Sequence, residues 1–66
     1  MKRQWLIELR GDRLQQDVAK ESGISQNHYS WIEAGHRTPS VQTAKRIADV
    51  LGFKWTRFFD EEKKTG

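Results

Sequence analysis

The chain contains no cysteine. That excludes a disulfide framework, a thiolate nucleophile and any Cys-ligated zinc or iron–sulfur centre, and it fits a reducing compartment. Two histidines, His28 and His36, are too few and too far apart in sequence to make a metal site without a thiolate between them, so neither a metal nor a cofactor is expected. Long apolar runs are also missing, and none approaches the ~18 residues that span a membrane. Lys2 and Arg3 open the chain with positive charge, as an export signal would. Glu8 and Arg10 then interrupt the apolar stretch Trp5-Leu6-Ile7, so that reading fails, and a soluble cytoplasmic protein is expected. There is no nucleophile elbow, no phosphate-cradling glycine loop and no convergent carboxylate pair. A chain of 66 residues also has little room for a substrate pocket. An enzyme is not expected.

Strand alternation, internal repeats and linker-like tracts are absent too. What recurs is helical spacing, punctuated by glycine and by the single proline. A first helix is expected over 2–10, with Trp5, Leu6 and Leu9 on one face, stopped by Gly11-Asp12. A second covers 15–22, with Val18 and Ala19 inward, and ends at Gly23. Ser25 caps a third over 26–34, closed by Gly35. Pro39 disfavours helix in the residue before it, so 36–39 forms a loop. Ser40 caps a fourth helix, whose apolar positions are Val41, Ala44, Ile47, Ala48 and Leu51, and Gly52 ends it. A short fifth helix starts near Trp55 and carries Phe58 and Phe59. The fold class is all-α: one compact five-helix domain over 1–62, with a C-terminal tail, 63–66, that has nothing to bury and frays.

Positive charge exceeds negative by three overall, which permits a nucleic-acid partner without requiring one. The excess is uneven. Residues 1–48 hold eight Lys or Arg against five Asp or Glu, whereas 49–66 hold four of each.

The informative stretch runs from Gln15 to Ala34. Two helices joined by a three- or four-residue turn must cross steeply. Ala19 is small at the closest approach, Gly23 supplies a left-handed turn residue, and Ile24, Tyr29 and Ile32 pin the second helix of the pair to the core. In this segment the chain resembles the Cro/lambdoid-repressor-like, or XRE, family of helix-turn-helix DNA-binding proteins. The matching features are Leu9-Arg10, Gln15, Val18-Ala19, Gly23, Ile24-Ser25, Ile32-Glu33-Ala34-Gly35, Arg37, Pro39-Ser40 and Leu51-Gly52-Phe53. No one of them is decisive, but their order and spacing agree from Gln4 to Phe59. The chain departs from the pattern in two places. The turn from Gly11 to Leu14 is trimmed, and Leu14 stands where serine or threonine usually caps the second helix, leaving Asp12 as an alternative cap.

The resemblance implies a lambda-repressor-like domain that inserts its third helix in the major groove. Gln26 and Asn27 can bond bidentately to adenine edges, against the plainer reading of solvated helix-start residues, and Ser30 shares their face. His28 is open between a guanine or phosphate contact and a bystander at the rim. Trp31 is open among thymine methyls or sugars, a protein interface, and the core. Tyr29 is expected in the core with its hydroxyl at the rim. Arg10 and Glu33 resemble the family's ion pair between the first and third helices. Phosphate contacts are assigned to Gln15, Gln16, Ser25, His36, Arg37, Thr38 and Ser40, aided by the unpaired N–H groups at helix starts; Lys45 and Arg46 read equally well as a solvated face. Trp55, Phe58 and Phe59 form a dense aromatic group, of which some members complete the core and any left exposed suggest homodimerisation, as the resemblance also implies. The expected partner is therefore double-stranded DNA carrying a palindromic operator. Neither a membrane nor a small-molecule effector is expected, and phage, mobile-element and restriction-modification settings all remain open. The alternative is an antitoxin-like or adaptor module that binds protein through the same fold.

Overall fold

The computed structural model of the protein describes residues 2–63, with side chains through residue 60. Five helices follow one another in chain order: α1 (Gln4–Arg10), α2 (Gln15–Ser22), α3 (Gln26–Ala34), α4 (Val41–Leu51) and α5 (Arg57–Lys63). No described residue lies in a strand, and no helix among the described residues is long and apolar enough to cross a membrane. The expected tail lies outside the described residues, apart from Lys63, which ends α5.

The boundaries of α2, α3 and α4 follow from local chemistry. Ser25 Oγ accepts from the His28 N–H at 3.1 Å, and Ser40 Oγ from the Thr43 N–H at 3.2 Å, so each serine satisfies one of the unpaired donors of a helix start. At the end of α2, Gly23 adopts a left-handed conformation, φ 75° and ψ 28°. The Ile24 N–H then reaches back to the Ala19 carbonyl at 3.0 Å, and the Gly23 N–H to Lys20 at 3.1 Å. This is a Schellman ending. It turns the chain within a few residues and drops Ile24 onto the core.

The start of α2 is different. Leu14 is its N-cap, with no side-chain cap bond, so Asp12 does not serve as the alternative cap. Arginines hold the trimmed turn instead: Arg10 Nη1 donates to the Arg13 carbonyl at 2.8 Å, and Arg13 Nη1 to the Val50 carbonyl at the end of α4 at 3.0 Å.

α2 packs against both α3 and α4, and α1 packs against α3. Leu6, Val18, Ala19, Tyr29, Ile32, Ala44, Ile47 and Phe58 form the buried centre. Trp5, Phe53 and Phe58 close it with ring centroids 5.2–5.5 Å apart, in the tilted and edge-on arrangements that aromatic quadrupoles favour.

Several expectations need correcting. α1 begins at Gln4 instead of residue 2, because Arg3 is used as a tether: its N–H donates to the Glu33 carbonyl at 2.7 Å. α5 begins at Arg57, because residues 54–57 first make a turn in which the Arg57 N–H bonds the Lys54 carbonyl. Leu9, grouped on one face with Trp5 and Leu6, and Val41, the first apolar position of α4, are both exposed; each lies near an end of its helix. Tyr29 is fully buried, hydroxyl included, so that group is not at the rim.

Candidate nucleic-acid interface

α3 divides sharply into two faces. Tyr29, Ile32 and Glu33 are buried, whereas Gln26, Asn27 and Trp31 are exposed and His28 and Ser30 are half-buried. An exposed polar stripe of that kind is what a helix needs if it is to bond base edges while its other side stays in the core.

The buried face is held by a network around Glu33. Its Oε2 accepts from Arg10 Nε at 2.6 Å, and its Oε1 accepts from Arg10 Nη2 at 3.2 Å and Gln15 Nε2 at 2.9 Å. One carboxylate thus ties α1, α2 and α3 together. Burial alone would raise the Glu33 pKa. Donation from Arg10 and Gln15 and the nearby Arg10 charge outweigh it and hold the carboxyl below its usual range, while the same bond raises Arg10. The Tyr29 hydroxyl lies close enough to feel both charges but makes no hydrogen bond of acceptable geometry. Burial pushes that phenol far above the ordinary tyrosine range.

Around the exposed stripe the fold gathers most of the residues picked out from the sequence. Gln15, Gln16 and Gln26 line one open groove with Arg10 and Leu14. Ser30 lines a second with Lys2, Ile7, Arg10 and Gln15. The start of α2 is thereby brought beside the readout face of α3. At the other end of α3, Gly35 (φ 81°) turns the chain into the loop that carries His36, Arg37 and Thr38, all exposed. Ser25 and Ser40 stand at the first turns of α3 and α4 with their hydroxyls engaged as caps. Gln15 has an internal partner in Glu33, which takes one of its two amide N–H donors and leaves the second for other use.

The C-terminal aromatics separate into two sets. Phe58 is fully buried and belongs to the core, so it is not available as a dimer contact. Trp55 and Phe59 are half-buried and stack edge-on at 5.9 Å, with the Lys45 ammonium 5.2 Å from the Trp55 ring centre. The Arg46 guanidinium lies over the Gly23 turn. Among the described residues, no group of histidine, aspartate or glutamate side chains is arranged to hold a metal ion.

Sequence reasoning missed two residues near this surface. Arg3 is buried, and its Nη1 donates to the Ile32 carbonyl at 2.6 Å and the Arg37 carbonyl at 2.9 Å. It thereby joins the end of α3 to the basic loop. Lys2 stands beside Ser30 and Ala34. Their only signal in the sequence was two cations ahead of the first helix, which pattern alone could not distinguish from a solvated terminus.

A buried helix pair with a glycine turn, presenting one polar helix face between a helix start and a basic loop, defines a helix-turn-helix DNA-binding domain. The helix-turn-helix family model matches residues 6–58, and the chain belongs to that family, in its XRE-type branch of transcriptional regulators. Two proteins of Bacillus subtilis (strain 168) are similar to it. The uncharacterized HTH-type transcriptional regulator YqaF is 43% identical over 63 residues, 92% of this chain and 83% of its own length. The HTH-type transcriptional regulator SlrR is 44% identical over 46 residues, which is 68% of this chain but 30% of that protein. The chain therefore spans most of the first relative and less than a third of the second. No solved structure shows a significant match.

Proposed function

We propose that the protein is a sequence-specific double-stranded DNA-binding regulator that represses by occupying a promoter, with α3 in the major groove. The observation that carries this reading is the outward face of α3, with Gln26, Asn27 and Trp31 exposed and Ser30 half-buried beside them, flanked by Gln15 and Gln16 on one side and by the 36–38 loop on the other. Gln26 and Asn27 read bases. Arg37, with His36, Thr38 and the capped helix starts, grips phosphates and sets register. Two copies joined through Trp55 and Phe59 sit on a palindrome with half-sites about 34 Å apart, or a multiple of that. The domain works in the cytoplasm without an effector of its own.

The test is the salt dependence of duplex binding, since each phosphate contact steepens the slope by about 0.9. Arg37→Ala should weaken binding to all duplexes alike and flatten the slope by about one such contact. Asn27→Ala should cost ~1–3 kcal/mol on the preferred site and little on random DNA. Equal losses for both variants on every sequence would dissolve this division of roles. The competing reading, a protein-interaction module, draws on one observation: Trp31 is 46% exposed on a helix that is otherwise polar outward. It predicts no salt-dependent duplex binding at all.

A further inference from the structure

Sequence alone leaves the role of Trp31 open and assigns Arg37, in the loop, to a phosphate. The structure sets one over the other. The Arg37 guanidinium carbon lies 5.3 Å from the centre of the Trp31 ring. The backbone between them is tied as well: the Trp31 carbonyl accepts from the His36 N–H at 2.9 Å and the Arg37 N–H at 3.3 Å. The Arg37 carbonyl in turn accepts from the buried Arg3 guanidinium at 2.9 Å. The base of the Arg37 side chain is thus anchored, and its head rests on an aromatic face.

A guanidinium over a ring face is held by the ring's quadrupole without spending its N–H donors on a hydrogen bond, so they stay free for an oxyanion. A long side chain gives up rotamer freedom when it grips a phosphate. One already held by a ring has lost part of that freedom before the DNA arrives. The same contact accounts for a large aromatic standing nearly half exposed on an otherwise polar helix face.

We propose that Trp31 is a positioning residue, whose indole face holds the Arg37 guanidinium ready for a backbone phosphate, so that α3 and the basic loop engage DNA as one unit. This rests on the DNA-binding reading above. Its consequence is that position 31 acts on affinity for every duplex instead of on the identity of one base pair.

The test uses the full chain and four variants: Trp31→Ala, Trp31→Phe, Arg37→Ala and the double Trp31→Ala/Arg37→Ala. In the free protein, the ring current of Trp31 should shift the Arg37 side-chain protons upfield, and Trp31→Ala should return them to ordinary positions. On DNA, Trp31→Ala should weaken both selected and random duplexes about two- to fivefold, the worth of one exposed cation–π contact. It should flatten the salt slope toward that of Arg37→Ala, and cost little more once Arg37 is already gone. Trp31→Phe should restore most of the loss. Ordinary Arg37 shifts in the wild type, additive losses in the double variant, or a loss confined to one base step would each overturn the proposal, the last in favour of a thymine contact. Failure of the wild type to bind any duplex in a salt-dependent way would remove the DNA reading and this inference with it, whatever the free protein's spectrum showed.

Discussion

At the scale of single residues, Glu33 is the most exacting. A carboxylate only 3% exposed keeps its charge because both of its oxygens accept from Arg10, and one of them from Gln15 as well. Its folded pKa is lowered from an unfolded value of about 4.3. The resulting stabilisation is complete above about pH 4.3 and is lost as pH falls through the lowered folded value. Glu33→Gln should therefore cost ~1.5–3 kcal/mol near neutral pH, the range for hydrogen bonds to charged groups. Denaturant unfolding of the two proteins should converge in strongly acid solution, and a gap that stayed constant with pH would contradict this account. Ser22 is the opposite case. Its hydroxyl is buried at the end of α2 without a partner, so Ser22→Ala should raise stability by about 1 kcal/mol; a loss would mean the hydroxyl has a partner after all. The Arg10–Glu33 pairing was legible from family spacing, but Ser22, Arg3 and the burial of the Tyr29 hydroxyl were not. Their roles depend on which distant backbone arrives beside them, and local pattern carries no record of that.

At the scale of elements, α3, α4 and the end of α2 were readable to the residue. Each ends on a glycine with positive φ, and two of them begin on a capping serine, and these are local signals. The starts of α1 and α5 were not, because a tertiary tether through Arg3 and a turn across 54–57 decide them. The steep crossing of α2 and α3 depends on Gly23. A side chain there would adopt an unfavourable left-handed backbone, and its Cβ would lie 2.9 Å from Nη1 at the far end of the long Arg46 side chain. Gly23→Ala should therefore lower stability by ~1–2 kcal/mol, most of it from backbone strain, since the arginine can move aside. Gly23→Asn should lose less, because asparagine tolerates that conformation better. Equal thermal midpoints for alanine and glycine at this position would show that the turn does not need its left-handed residue.

At the scale of the whole molecule, the polar face of α3 was foreseen correctly in outline, while the aromatic end was foreseen only as a group. Which rings complete a core is settled by packing, and packing assigned Phe58 inward and left Trp55 and Phe59 at the surface. A domain of this size buries only about 60% of its unfolded surface, so covering those rings with a second copy would add stability as well as a second recognition helix. Phe59→Glu should convert a dimer to a monomer in sedimentation while keeping helical circular dichroism, and should lose affinity for a palindrome far more than for a single half-site. An unchanged sedimentation coefficient would place the interface elsewhere. The central claim, sequence-specific recognition of duplex DNA, is tested most directly by selecting sites from a random duplex library with the purified, folded protein at about physiological salt. The account predicts enrichment of a palindrome whose half-sites lie one helical turn, or a multiple of it, apart. No enrichment of any sequence would contradict it, and would make the exposed Trp31 and the Trp55–Phe59 pair the surfaces on which to seek a protein partner.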